Sequence, residues 1–132
     1  MTALPDWPEG TVAVLSTAGP HAIPVSACVR AGDSALVLGL GRRRESLLRL
    51  RESAEVAVLI MCGRDVAVTA YGTASVVSED AAGVVAVRVD VTSVQDHFKP
   101  DFTISAGVDW AWTDDAAAER DARVRAALKQ HL

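Results

Sequence analysis

The sequence is poor in the residue types that identify several classes of protein. Aromatic residues make up only 5% of its 132 residues, so valine and alanine supply most of the apolar half. Cys28 and Cys62 lie inside apolar runs without ligand spacing, which argues against a zinc site or a disulfide framework. His21, His97 and His131 are also far apart in the sequence, so we expect no metal site.

Basic residues are not in excess either. The 13 lysines and arginines are outnumbered by 17 aspartates and glutamates, and the net charge of −4 argues against a general binder of nucleic acid or anionic membranes. No stretch approaches the roughly 18 consecutive apolar residues of a membrane span. The opening residues lack the basic-then-apolar pattern of a secretion signal. We therefore expect one cytoplasmic domain, residues 1–132, with no nucleic-acid or membrane partner.

β-branched and alternating runs predict antiparallel strands joined by short turns. The runs cover residues 11–17, 22–30, 34–40, 55–62, 66–78 and 84–94, and a last short strand is expected at 107–112. In the sixth run Val85, Val87, Val89 and Val91 share one face. The first three strands should form a meander.

Three local features refine these strands. Pro24 implies an edge position, a bulge, or a place where the ladder is interrupted to admit something else. Gly72 marks a bend or bulge. Residues 55–62 are apolar nearly throughout, which predicts a strand buried on both faces.

Two segments have helical character. Leu47 and Leu50 recur at helical spacing within residues 43–53, and Glu45 stands four residues before Arg49 in the favourable order. A second helix should start after Thr113 as N-cap and run to the end. The fold class is therefore mainly β: an antiparallel barrel, closed or nearly closed, of six to seven strands, with one short internal helix and a C-terminal helix.

Three consecutive arginines precede the internal helix. A helix N-terminus carries positive partial charge and favours acids, so Arg42, Arg43 and Arg44 are unfavourable there unless an anion is bound. Backbone N–H groups, the helix dipole and the guanidinium groups would then converge on one phosphate, and Ser46 could add a hydroxyl donor. Gly41 would let the backbone come close. The alternative is a solvated basic turn whose charge nearby glutamates offset.

A second cluster lies near the C-terminus. Trp110 and Trp112, beside the acidic Asp109, could stack on a planar ligand, or the two tryptophans could lie at a dimer seam. No Ser/His/Asp set is marked by its local sequence, so we assign no catalytic side chain.

The order of these features resembles the flavin-binding split-barrel superfamily that includes pyridoxamine 5'-phosphate oxidase. The resemblance covers residues 11–78, about half of the chain. Its pieces are Leu15-Ser16-Thr17, the Gly19-Pro20 turn, Pro24-Val25-Ser26, the arginine-rich helix start, the valine-rich strand after the helix, and Tyr71-Gly72-Thr73-Ala74.

The resemblance implies a homodimer with the cofactor in a groove between subunits. The flavin ring would lie along Val25, Ser26 and Ala27 and against Gly39 and Leu40. Arg42, Arg43 and Arg44 would hold the phosphate.

The sequence departs from the family at several of these positions. The basic residue that the family usually has on the first helical turn falls on Ser46, and the usual Asn-Pro or Asp-Pro after the helix is Ser53-Ala54. The C-terminal residues that hold the substrate phosphate in true pyridoxamine phosphate oxidases have no clear counterpart.

Two functions are compatible with these observations. The first is an oxidoreductase that uses FMN, or alternatively a deazaflavin, on a small substrate. The second is a non-catalytic protein that holds a flavin or a haem on the same barrel. A haem would need an axial ligand, for which His21 or His97 would be the candidates.

Overall fold

The computed structural model describes residues 3–132, so the first two residues of the predicted domain lie outside the described part. Seven strands and two helices follow one another along the chain: β1 (Ala13–Thr17), β2 (His21–Val25), β3 (Cys28–Arg30), β4 (Ala35–Leu40), α1 (Glu45–Glu52), β5 (Glu55–Cys62), β6 (Val66–Ala81), β7 (Val84–Asp96) and α2 (Asp115–Lys129). The strands form one antiparallel sheet, curled into a half-barrel, in the order β2-β1-β5-β6-β7-β4-β3. The predicted fold class is confirmed.

The predicted strand at residues 22–30 is divided into β2 and β3. β2 pairs with β1 at one end of the sheet order, and β3 pairs with β4 at the other. Ser26 and Ala27 connect them outside either ladder, although Ala27 O accepts a hydrogen bond from Gly39 N at 2.9 Å. Pro24 therefore lies in an edge strand, and the ladder is interrupted just after it. An edge position and an interrupted ladder were two of the three possibilities that the proline suggested.

The inner face of the sheet holds the main core. Val85, Val87, Val89 and Val91 are buried, as their alternation predicted. Leu47 and Leu50 of α1 join the same core, which fixes this helix against the sheet. Burial of such side chains contributes roughly 1.5–3 kcal/mol each.

Gly72 stands at the predicted bulge in β6. The pairing register with β7 shifts between Tyr71 and Gly72. A Cβ atom at Gly72 would overlap the carbonyl oxygen of Asp90 on β7, so only glycine fits this close approach of two backbones.

The prediction for β5 was wrong in one respect: only one face is buried. Val56, Val58 and Ile60 point into the core, whereas Met61 on the other face is 54% exposed. Neither helix of residues 3–132 lies on this outer face. An irregular segment of the chain crosses it instead, and a cleft of about 390 Å³ remains between that segment and Val14, Leu59 and Met61.

The predicted last strand at residues 107–112 is also wrong. The segment has no ladder partner in the described chain, because it crosses the outer face of β1 and β5 rather than lying beside an edge of the sheet. It is held by the bond from Trp110 Nε1 to Gly10 O at 2.9 Å, and the chain just before it is held by the bond from Ile104 N to Arg64 O at 2.8 Å.

α2 packs on the outer face of β3 and β4, where Leu128 is buried with Ala27 and Val37. Its N-cap is Asp114 rather than the predicted Thr113, since the Asp114 carboxylate accepts the N–H of Ala117 at 2.8 Å. Within residues 3–132, neither helix has the length and apolar character that a membrane crossing would need.

Candidate functional site

A cleft of about 510 Å³ opens where the sheet is interrupted, a size suited to a small organic ligand. Its walls come from six parts of the chain: residues 24–27, residues 39–41 at the end of β4, Arg44 before α1, the turn between β6 and β7, Trp112, and one face of α2. The cleft thus brings together six residues that the resemblance implied as parts of one cofactor site: Val25, Ser26, Ala27, Gly39, Leu40 and Arg44.

The inner wall is made by backbone more than by side chains. The side chains of Val25 and Leu40 are buried in the core, so these residues offer mainly their peptide groups to the cleft. A Cβ atom on Gly39 would lie 3.2–3.4 Å from Val84, Val124 and Ala27. Glycine at this position therefore lets α2 approach the strand closely.

The three consecutive arginines have different surroundings. Arg44 lines the cleft, and its guanidinium group donates to Pro24 O at 3.4 Å. Arg42 is paired with Asp80 at 2.9 Å, and Arg43 is exposed outside the cleft. A hydrogen bond from the Gly83 N–H, together with Arg42, lowers the pKa of the Asp80 carboxyl. Arg42 therefore stabilises the β6–β7 turn rather than facing the cleft.

The start of α1 is open to an anion. Arg44 is its N-cap in extended conformation, and no side chain of the described residues caps the helix. Ser46, however, is fully buried in the interior. Its hydroxyl has no hydrogen-bond partner among residues 3–132 and does not line the cleft. Its expected role as a phosphate donor stays a prediction that this arrangement does not support.

The β6–β7 turn contributes a strained residue to the cleft wall. Ala82 has φ of 53°, and it is the one non-glycine residue among 3–132 with a positive φ. Gly83 follows with φ of 96°, so both central residues of this two-residue turn are left-handed, as a type I′ hairpin requires. Alanine is disfavoured there.

α2 supplies the outer wall, which the sequence analysis did not foresee. Arg120 and Arg123 line the cleft together with Ala117 and Val124. Asp121 also lines it, but this residue is 8% exposed and its carboxylate forms an ion pair with Arg125. The one signal in the sequence that could have predicted this wall is the three-residue spacing of Arg120 and Arg123, which places both on one side of the helix.

The two tryptophans have separate surroundings. Trp112 lines the cleft and is 43% exposed, so its ring is available to a planar ligand. Trp110 instead donates through Nε1 to Gly10 O at 2.9 Å. The rings lie edge to face with centroids 5.0 Å apart. Asp109 is exposed outside this cleft.

The histidines and cysteines lie elsewhere. His21 faces Glu45 at 3.4 Å, His97 contacts the Thr69 hydroxyl at 2.7 Å, and neither lines the cleft. Burial raises the pKa of the Cys28 thiol to about 12, which leaves it a protonated core residue. In the described part of the chain, no three His, Cys, Asp or Glu side chains are grouped to hold a metal ion.

Three solved structures share this fold at low sequence identity. A provisionally named pyridoxamine 5'-phosphate oxidase from Lactobacillus delbrueckii matches with a TM-score of 0.57 at 19% identity, over 72% of this chain and 99% of that one. HupZ from Group A Streptococcus gives 0.55 at 14% identity, over 76% and 90%. An FAD-binding protein from Mesorhizobium loti gives 0.53 at 15% identity, over 64% and 81%.

No protein-family profile and no curated protein matches the sequence. The likeness to solved structures nevertheless establishes that the chain has the split-barrel fold of pyridoxamine 5'-phosphate oxidase-like proteins.

Proposed function

We propose that this protein binds FMN in the cleft between the interrupted strand and α2 and acts as a cytoplasmic oxidoreductase on a small molecule. The single observation that carries the proposal is the convergence of Arg44, the peptide groups of residues 25–27 and Gly39 on one cleft of about 510 Å³. A deazaflavin with the same phosphate chemistry is the alternative cofactor.

The residues present fit a phosphorylated planar cofactor. Arg44 at the uncapped start of α1 would hold the phosphate, since helix N–H groups and a guanidinium group both favour an anion. Peptide groups of residues 25–27 would contact the ring edge, and Trp112 would cover part of its face. The close approach of Gly39 and Val124 would exclude water from the inner wall.

When bound, the flavin supplies the hydride chemistry, and the protein supplies orientation and hydrogen bonds. Asp121 is the acidic residue that lines the cleft, and its ion pair with Arg125 keeps it from serving as an obvious proton donor. His21 and His97 also lie outside the cleft. We therefore assign no acid–base pair of the chain to the proposed chemistry.

A titration with FMN and riboflavin tests the site. Replacing Arg44 by glutamine removes a charged hydrogen bond of roughly 1.5–3 kcal/mol, so FMN affinity should fall by about 10- to 100-fold while riboflavin affinity is unchanged. Arg64→Gln is the control, because Arg64 lies outside the cleft and has no ion pair among the described residues. Equal losses in both variants, or equal affinities for FMN and riboflavin, would contradict the assignment. No binding of FMN would remove this cofactor and make the deazaflavin the next ligand to titrate.

The missing acid–base pair equally favours a second candidate, a flavin carrier without turnover. The two functions separate in a stopped-flow experiment on the FMN-saturated protein. An oxidoreductase should be reduced by NADH or NADPH and reoxidised repeatedly by an acceptor, whereas a carrier should keep its flavin oxidised. A haem carrier is disfavoured, because neither His21 nor His97 lines the cleft.

A homodimer is part of the same proposal, but through a face other than the cofactor groove between subunits that the resemblance implies. The outer face of β5 presents Leu59 and the 54%-exposed Met61 beside Val14 of β1, and a second copy would cover these apolar side chains. Met61→Glu should shift the sedimentation of the protein toward monomer. Leu48→Glu, at a similarly exposed leucine on α1, should leave it unchanged. A wild-type protein that sediments as a monomer would contradict the dimer.

A further inference from the structure

The arginines that line the cleft differ from most others in having no acidic partner. Arg44, Arg120 and Arg123 have no carboxylate within 4.0 Å among the described residues. Six other arginines are in ion pairs: Arg30, Arg42, Arg49, Arg51, Arg88 and Arg125. The cleft is thus lined by cations whose charge the described chain leaves uncompensated.

The placement of two of these arginines on α2 is unfavourable for the helix alone. Arg120 and Arg123 are three residues apart, a spacing at which like charges are neighbours and destabilise a helix. Glu119 precedes Arg123 by four residues, the favourable order for an ion pair, yet the two side chains are not paired within 4.0 Å. A bound anion would remove the repulsion between the two guanidinium groups.

The acidic residue of α2 that reaches the cleft does not neutralise them. Asp121 is paired with Arg125 on the same helix, and Arg125 also approaches Glu9 at 3.6 Å. The Asp121 carboxylate therefore interacts with Arg125 and not with the outer wall. The guanidinium groups of Arg120 and Arg123 are left to interact with a ligand.

Arg44 stands before α1, where the proposed function places the cofactor phosphate, whereas Arg120 and Arg123 lie on α2 and have no part in that assignment. We propose that Arg120 and Arg123 form a second anion subsite, which binds a further phosphate or carboxylate group. That group belongs either to the tail of a longer cofactor or to a substrate bound beside the cofactor. The inference rests on the proposed function only in assigning Arg44 to the cofactor phosphate.

The test compares three proteins by isothermal titration at constant ionic strength. They are the wild type, the double variant Arg120→Gln/Arg123→Gln, and the control Arg64→Gln/Lys99→Gln, which loses the same charge outside the cleft. The probes are FMN, FAD, and inorganic pyrophosphate added to FMN-saturated protein. Glutamine keeps good helix propensity, and a thermal scan verifies that each variant is folded.

The α2 variant should bind FMN within about threefold of wild type, whereas FAD or pyrophosphate should bind on the order of tenfold or more weakly. A loss confined to FAD assigns the subsite to a cofactor tail, and a loss confined to pyrophosphate assigns it to a separate anionic substrate. The proposal is overturned if the α2 variant behaves like the control, or if wild type binds no pyrophosphate and prefers FMN to FAD. If wild type fails to bind FMN, the proposed function fails alone, because pyrophosphate binding to the protein without FMN still measures the subsite.

Discussion

Alanine at position 72 should destabilise the protein strongly, because the bulge in β6 leaves no room for a side chain. The added Cβ would lie 2.9 Å from the carbonyl carbon of Asp90 and 3.0 Å from Val89 Cγ1, and it would approach the Asp90 oxygen still more closely. The obstacle is the backbone of the paired strand β7, which cannot move aside as the end of a side chain can.

Overpacking of this kind costs about 1–3 kcal/mol, and a backbone obstacle favours the upper end. For a chain of this length, 1 kcal/mol corresponds to a shift in Tm of roughly 3–4 °C. Gly72→Ala should therefore lower the Tm by about 10 °C in a calorimetric scan.

Two other glycines calibrate the effect. Alanine at Gly39 would meet three side chains at 3.2–3.4 Å, which should cost about 1 kcal/mol by shifting α2 slightly. Alanine at Gly107 would meet nothing within 4 Å and should stay within about 0.5 kcal/mol of wild type. The reasoning is refuted if Gly72→Ala is no less stable than Gly107→Ala.

Three further predictions concern the core thiol, the cap of α2 and the tryptophans. The raised pKa of Cys28, about 12 against 9.0, means that the native thiol should resist iodoacetamide at about pH 8 and react only in denaturant. Because the unfolded thiol ionises first, this group should lower stability as the pH rises above about 9 in urea titrations. Asp114→Ala should cost about 1 kcal/mol in chemical denaturation and Thr113→Ala less than about 0.5, and the reverse order would contradict the observed cap. Trp110→Phe should cost about 1 kcal/mol through its lost bond to a backbone carbonyl, whereas a comparable loss in Trp112→Phe would contradict its placement at the cleft surface.

Predictions that depended on local pattern agree with the structure. The valines from Val85 to Val91 share the buried face because side chains alternate along any strand. Glu45 and Arg49 form the expected ion pair, 2.7 Å between Oε2 and Nε, because residues four apart are neighbours on any helix. Gly72 coincides with a bulge because glycine in a strand often marks a close backbone approach.

Predictions that depended on what covers a surface were less successful. The apolar run of β5 is compatible with an outer face covered either by a helix or by an irregular segment. The sequence therefore did not predict that Met61 is exposed. Residues 107–112 could have formed a strand, but the segment crosses the outer face of β1 and β5 and pairs with neither edge strand, β2 or β3. The expected role of Ser46 as a hydroxyl donor to the phosphate stays a prediction, and the position of Ser46 on α1 turns its side chain into the interior.

The residue pattern by itself indicated most of the strands, both helices, a mainly β antiparallel barrel and the cationic start of α1, because these follow from periodicity, turn residues and charges that are close together in the chain. The split form of the barrel was implied by the resemblance to the flavin-binding superfamily. Only the tertiary structure decided which arginines line the same cleft. Arg44 and the α2 arginines are more than seventy positions apart, and no local pattern reports where α2 docks. Their convergence on one cleft follows from the packing of Leu128 and Val124 against Ala27 and Val37, a contact between segments that are far apart in the sequence.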